Sequence, residues 1–161
     1  MATYNSEQLK AALAPNYDPK ERNRHNPVRR ESWTYNTTDD PTATVAEGDS
    51  VRVALLPKGT RIWGGKIFFE AIGSNQKIDV GLEGADGSGN YDGTNSDDPD
   101  FFTTAQLDVA AAGEAEFGVL QEDNPGYELL KDCYLTLTHD DSVGSTAPDT
   151  DKDIDGYVDV V

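Results

Sequence analysis

The stretch Lys77-Ile78-Asp79-Val80-Gly81-Leu82-Glu83 decides the fold. Ile78, Val80 and Leu82 alternate with Lys77, Asp79, Gly81 and Glu83, which is the period of a β-strand with one face in a core and the other in water. The same period recurs on both sides of it. Val51, Val53 and Leu55 share one face, and Ile67, Phe69 and Ala71 oppose Lys66 and Glu70. Further on lie a run at 105–110, Ala115, Phe117 and Val119 within 114–120, Cys133, Leu135 and Leu137 within 132–138, and Val158 and Val160 within 157–161. A weaker run at 32–37 brings the total to eight. Turn-forming clusters such as Glu47-Gly48-Asp49, Pro57-Lys58-Gly59 and Gly73-Ser74-Asn75 separate them. No helical pattern of ten residues or more lies between the runs, so the crossover helices of a parallel sheet are missing. The expected fold is all-β: an antiparallel β-sandwich or jelly roll of about eight short strands.

Composition bounds the rest. The chain has 161 residues, a net charge of −17 and a mean hydropathy of −0.63, which suits one domain with a fair share of loop. Cys133 stands alone, so no internal disulfide forms, and with only His25 and His139 no Cys/His zinc site can be completed. No apolar window is long enough for a membrane span, and the N-terminus lacks the layout of a secretory signal. A soluble protein made in the cytoplasm is expected. Residues 1–30 carry +3 while the rest carries −20. Pro15, Pro19 and Pro27 interrupt a segment almost free of large apolar side chains, which predicts an extended arm. Ahead of it, Asn5 is placed to cap a short helix through Leu9, Ala12 and Leu13. The expected organisation is therefore a basic arm with a short helix over 1–30 and a sandwich over 31–161. Lys20, Arg22, Arg24, Arg29 and Arg30, with Trp33 beside them, form the candidate binding set. Basic side chains near aromatics suit single-stranded nucleic acid, but the body's charge would repel phosphate, so an acidic protein surface is the better partner and no nucleic acid is expected. A solvated tail without a partner is the bland alternative.

Candidate chemistry is sparse. Asp151-Lys152-Asp153-Ile154-Asp155-Gly156 matches the D-x-D-x-D-G opening of a calcium loop, in which Gly at position six permits a sharp turn. The glutamate at position twelve would fall past Val161, and flanking helices are lacking. An acidic turn entering the last strand is one reading; weak Ca²⁺ binding by Asp151, Asp153 and Asp155 is the other. The loop at 84–100 offers Asp86, Asp92, Asp97, Asp98 and Asp100, yet a Gly-rich loop is a poor frame for a glycosidase pair. No nucleophile elbow is present. His139 reads as a surface histidine at a strand end, Cys133 as a buried structural thiol, and Gly64-Gly65 as glycines that permit close backbone approach. No catalytic set emerges, so an enzyme is not expected. Trp63 and Phe68, if exposed, would favour a homo-oligomer.

The run Val53-Ala54-Leu55-Leu56-Pro57-Lys58-Gly59-Thr60-Arg61-Ile62-Trp63-Gly64-Gly65-Lys66-Ile67-Phe68-Phe69-Glu70, followed by Ile78-Asp79-Val80-Gly81-Leu82, resembles small tailed-bacteriophage virion proteins. These carry an "LPKG" and "GG" strand pair leading to a "DVG" strand and an Asp-rich loop. The resemblance covers roughly residues 45–105. It implies a capsid decoration or cement protein, without a cofactor, on the exterior of the virion. It also implies a β-sandwich, often trimeric, whose extended terminus runs over the lattice of the major capsid protein. The alternative function is a ligand- or glycan-binding β-module of a phage fibre or spike with Ca²⁺-dependent acidic loops.

Overall fold

The structure, a computed structural model, describes residues 3–5, 29–38, 48–86, 100–103, 106–118, 127–140 and 148–161. Ten strands lie among them: β1 (Thr3–Asn5), β2 (Arg29–Asn36), β3 (Ser50–Leu56), β4 (Arg61–Phe69), β5 (Lys77–Gly84), β6 (Leu107–Asp108), β7 (Gly113–Phe117), β8 (Tyr127–Glu128), β9 (Cys133–Asp140) and β10 (Asp153–Val160). They form two sheets, in the orders β1-β3-β9-β5-β6 and β2-β10-β4-β7, with β8 also on β4. Every pairing is antiparallel except β1 with β3. Successive strands β3, β4 and β5 pass from one sheet to the other and back, so each sheet is stitched together by non-local ladders.

The core lies between the sheets. Ile78, Val80 and Leu82 of β5 point into it, as their alternation predicts, and meet Leu135 and Leu137 of β9 together with Ile62, Ile67, Ile154 and Val158 of the opposite sheet. Cys133 is buried there too, as expected. The far face of β5, however, is not in water. Asp79 is buried and accepts a hydrogen bond from the Thr103 hydroxyl at 3.0 Å, while the Phe102 amide donates to the Val80 carbonyl at 2.9 Å. Ser50, Thr136 and Thr138 on the same outer face are buried as well, with Ser50 Oγ 2.9 Å from Thr138 Oγ1. The first sheet is thus closed on both sides, which local alternation does not reveal.

Two register shifts correct the expected faces. Between Arg52 and Ala54 the pairing with β9 slips, so Leu56 is fully buried and Leu55, expected inward, is only half-buried. In β4, Gly64 pairs with Asp159 and Ile62 with Val160, leaving Trp63 as an extra residue. That bulge lets Ile62 and Ile67, five positions apart, both face the core. Gly64 takes φ 147° there, backbone that only glycine adopts readily.

Other expectations also change. Asn5, expected to cap a helix, ends strand β1; the rest of that helix falls outside the described residues. Arg29 and Arg30, expected in the arm, are the first residues of β2. His139, expected at the surface, is 2% exposed inside β9. Its amide donates to the Asp49 carbonyl at 3.0 Å, and its ring meets Tyr35 edge-on at 6.3 Å. Burial pushes the imidazole from 6.5 down to about 4, opposed in part by Asp49.

Candidate docking face

The second sheet is the one whose outer face is open. β10 enters its strand at Asp153, earlier than the alternation at 157–161 indicates, and sends Ile154, Gly156, Val158 and Val160 inward. Asp153, Asp155, Tyr157 and Asp159 therefore point outward. On either side the ladder sets Arg30, Ser32, Thr34 and Asn36 of β2, and Lys66 and Phe68 of β4, with Glu114 and Glu116 of β7 beyond. The face is acidic, with aromatic side chains embedded in it.

Its side chains form a connected row. The Arg30 guanidinium donates to both carboxylate oxygens of Asp159, at 2.8 and 2.9 Å, and lies 3.6 Å from the centre of the Tyr157 ring. Tyr157 packs tilted against Phe68 at 6.4 Å. Lys66 donates to Glu114 at 2.7 Å, with its ammonium 5.3 Å from the Phe68 ring centre. The hydrogen bonds they donate to Asp159 and Glu114 raise Arg30 and Lys66 above their ordinary values, so both stay cationic. Asp155 and Glu116 make no ion pair among the described residues.

At one end the row opens into a groove of about 300 Å³, lined by Trp63, Gly64, Gly65, Glu116, Phe117, Gly118, Tyr157 and Asp159. Its floor is largely main chain, because the bulge brings Gly64 against Gly118 and a Cβ on Gly118 would stand 3.3 Å from the Gly64 Cα. Trp63 is 48% exposed at its edge, and Phe68 is 39% exposed further along the face.

The expected site residues separate. Trp33 is 3% exposed and packed 6.2 Å from Phe117, which places it in the core. Arg29 pairs with Glu31 at 2.8 Å within β2. Among the described members of the basic set, Arg30 reaches the open face; Lys20, Arg22 and Arg24 lie outside the described residues. The calcium-loop reading loses its turn. Gly156 sits in mid-strand between Trp33 and Ile67, so β10 runs straight through the motif and Asp153 and Asp155 project from a strand. Asn36 Nδ2 donates to Asp153 at 2.7 Å and to Asp151 at 3.4 Å. Among the described residues no three His, Cys, Asp or Glu side chains gather as a metal site. Tyr157 and Glu116 were not candidates from sequence; the alternation of Val158 and Val160 carried the outward phase of Tyr157, and that of Ala115 and Phe117 the phase of Glu116.

No family model matches the chain, and no curated protein matches it. Among solved structures, its fold is similar to that of a chain in the capsid of Ralstonia phage GP4, with TM-score 0.64 and 16% identity over 99% of this chain and 97% of that one. A chain in the acidic stable capsid structure of Helicobacter pylori bacteriophage KHP30 aligns with TM-score 0.52 and 12% identity over 85% of this chain and 89% of that one. At these identities the likeness is one of fold. The protein has a two-sheet all-β architecture that also occurs in phage capsids, matched nearly end to end.

Proposed function

We propose that this protein is a non-enzymatic virion structural protein that binds the outer surface of a phage capsid lattice and decorates or stabilises it. The observation that carries the reading is the likeness in fold over 99% of the chain to a chain of a phage capsid. The open, aromatic-studded face of the second sheet supplies a contact surface, and Lys20, Arg22 and Arg24 supply cations for a second one. Many copies on a repeating surface hold by avidity even where each contact is small. The protein is made in the host cytoplasm and sits on the exterior of the virion as a homo-oligomer, a trimer by the resemblance. Sedimentation equilibrium checks the oligomer directly.

Co-sedimentation with undecorated heads and with free shell subunits tests the reading. Binding to heads alone, weakened by salt, is expected; binding to neither overturns it. In the full chain, replacing Lys20, Arg22 and Arg24 by alanine is expected to weaken head binding without changing the Tm. Unchanged head binding would remove the arm from the contact.

The reading needs no cofactor. Millimolar Ca²⁺ is expected to leave the Tm unchanged, because β10 holds Asp153 and Asp155 extended; a rise with Ca²⁺ would restore a metal role to the Asp151 run.

A further inference from the structure

We propose that the groove beside Trp63 takes the side chain of an arginine presented by a neighbouring protein. The molecule already displays this chemistry on one wall, where Arg30 lies over the Tyr157 ring and forks onto Asp159. The opposite wall offers the same two groups, and no arginine among the described residues takes them. Trp63 presents a half-exposed ring, and Glu116 is a carboxylate with no ion pair among the described residues.

Arg30 and Asp159 neutralise each other, and Lys66 is ion-paired to Glu114 and attracts Glu116 only at longer range, so the surplus charge at the groove is negative, on a chain whose net charge is −17. An anionic group is repelled there. A neutral sugar could stack on Trp63 but would form no ion pair with Glu116. A lysine ammonium is a strongly hydrated point charge. A guanidinium is planar and weakly hydrated, so it can stack on the indole and still donate to a carboxylate. The floor suits a flat group because Gly64 and Gly118, where a Cβ would press on the facing backbone, let the two main chains meet there. That the arginine belongs to a lattice protein rests on the function proposed above; the chemistry of the groove does not.

The test uses the full chain and an acetyl-Gly-Arg-Gly-amide peptide. The two tryptophans give two indole N–H resonances, one buried and one at the groove. Trp63 is expected to shift and saturate while Trp33 stays still, and Glu116→Gln is expected to weaken the peptide about tenfold. The isosteric citrulline peptide and maltose are expected to leave Trp63 unmoved. No Trp63 shift with the arginine peptide, an equal shift with citrulline or maltose, or an unaltered affinity in E116Q overturns the proposal. Offering E116Q to heads separates the two ideas. Heads that bind wild type and variant equally overturn the lattice protein as the source of the arginine and leave the lattice reading standing. An arginine-specific Trp63 shift in a protein that ignores heads supports the groove and sinks the lattice reading.

Discussion

Replacing Gly156 by alanine is expected to destabilise the protein by about 3 kcal/mol and to lower its Tm by roughly 6–12 °C. Gly156 lies mid-strand with Trp33 directly over it, and an added Cβ would overlap the six-membered ring of that indole and stand 3.0 Å from the Lys66 carbonyl. Neither neighbour can yield cheaply. The carbonyl belongs to a ladder, and the indole is buried against Phe117, which itself packs 5.6 Å from Phe102. Gly65 is built the same way: its Cβ would overlap the Phe117 ring and the Tyr157 carbonyl. Two aromatic rings are thus seated on two strand glycines, which lets large side chains fill the space between closely spaced sheets. Thermal unfolding of G156A checks the magnitude, and a double-mutant cycle checks the cause. With Trp33 replaced by leucine the ring overlap is relieved and only the approach to the Lys66 carbonyl remains, so the added loss is expected to fall to about 1 kcal/mol. Additive losses would show that Trp33 is not the obstacle.

Acid is expected to remove about 3 kcal/mol of stability through His139 alone as the pH falls from 6.5 to about 4. The folded chain keeps this imidazole neutral down to about 4, because burial penalises its charged form, whereas in the unfolded chain it takes up a proton near 6.5. Within that window the unfolded state binds more protons, so stability rises with pH; the contribution is fully present above 6.5 and lost as the pH falls through about 4. Both ring nitrogens lack a hydrogen-bond partner among the described residues, so neither offers a route to stabilise the cation. His139→Leu removes the titration while keeping an apolar side chain beside Tyr35, and its Tm is expected to fall less than that of wild type between pH 6.5 and 4. Parallel curves for the two proteins would assign the acid sensitivity to carboxylates elsewhere.

The sequence by itself determined the class of fold. A strand's side chains alternate whatever lies around it, so Ile78, Val80 and Leu82, or Leu135 and Leu137, declare a core face from local chemistry alone, and the want of helical periods excludes a parallel sheet. Strands of two or three residues left no such trace, and β1 and β8 went unseen. Tertiary structure decided everything that depends on a partner strand. The slips at Arg52 and at Trp63 exist only because particular strands pair. They rephase the alternation, exposing Trp63 and sending Leu56 rather than Leu55 inward. Asp79 and Thr138 have polar side chains that a sequence assigns to water, yet closure of the first sheet's outer face buries them, and His139, in phase with Leu135 and Leu137, turns into the core. Trp33, next to the basic residues in sequence, is drawn into the core by Gly156, more than a hundred residues away. The D-x-D-x-D-G run is a calcium loop only if its glycine turns. Pairing with β2 and β4 holds that glycine extended, so Asp153 and Asp155 project from the outer face of a strand and not from a turn.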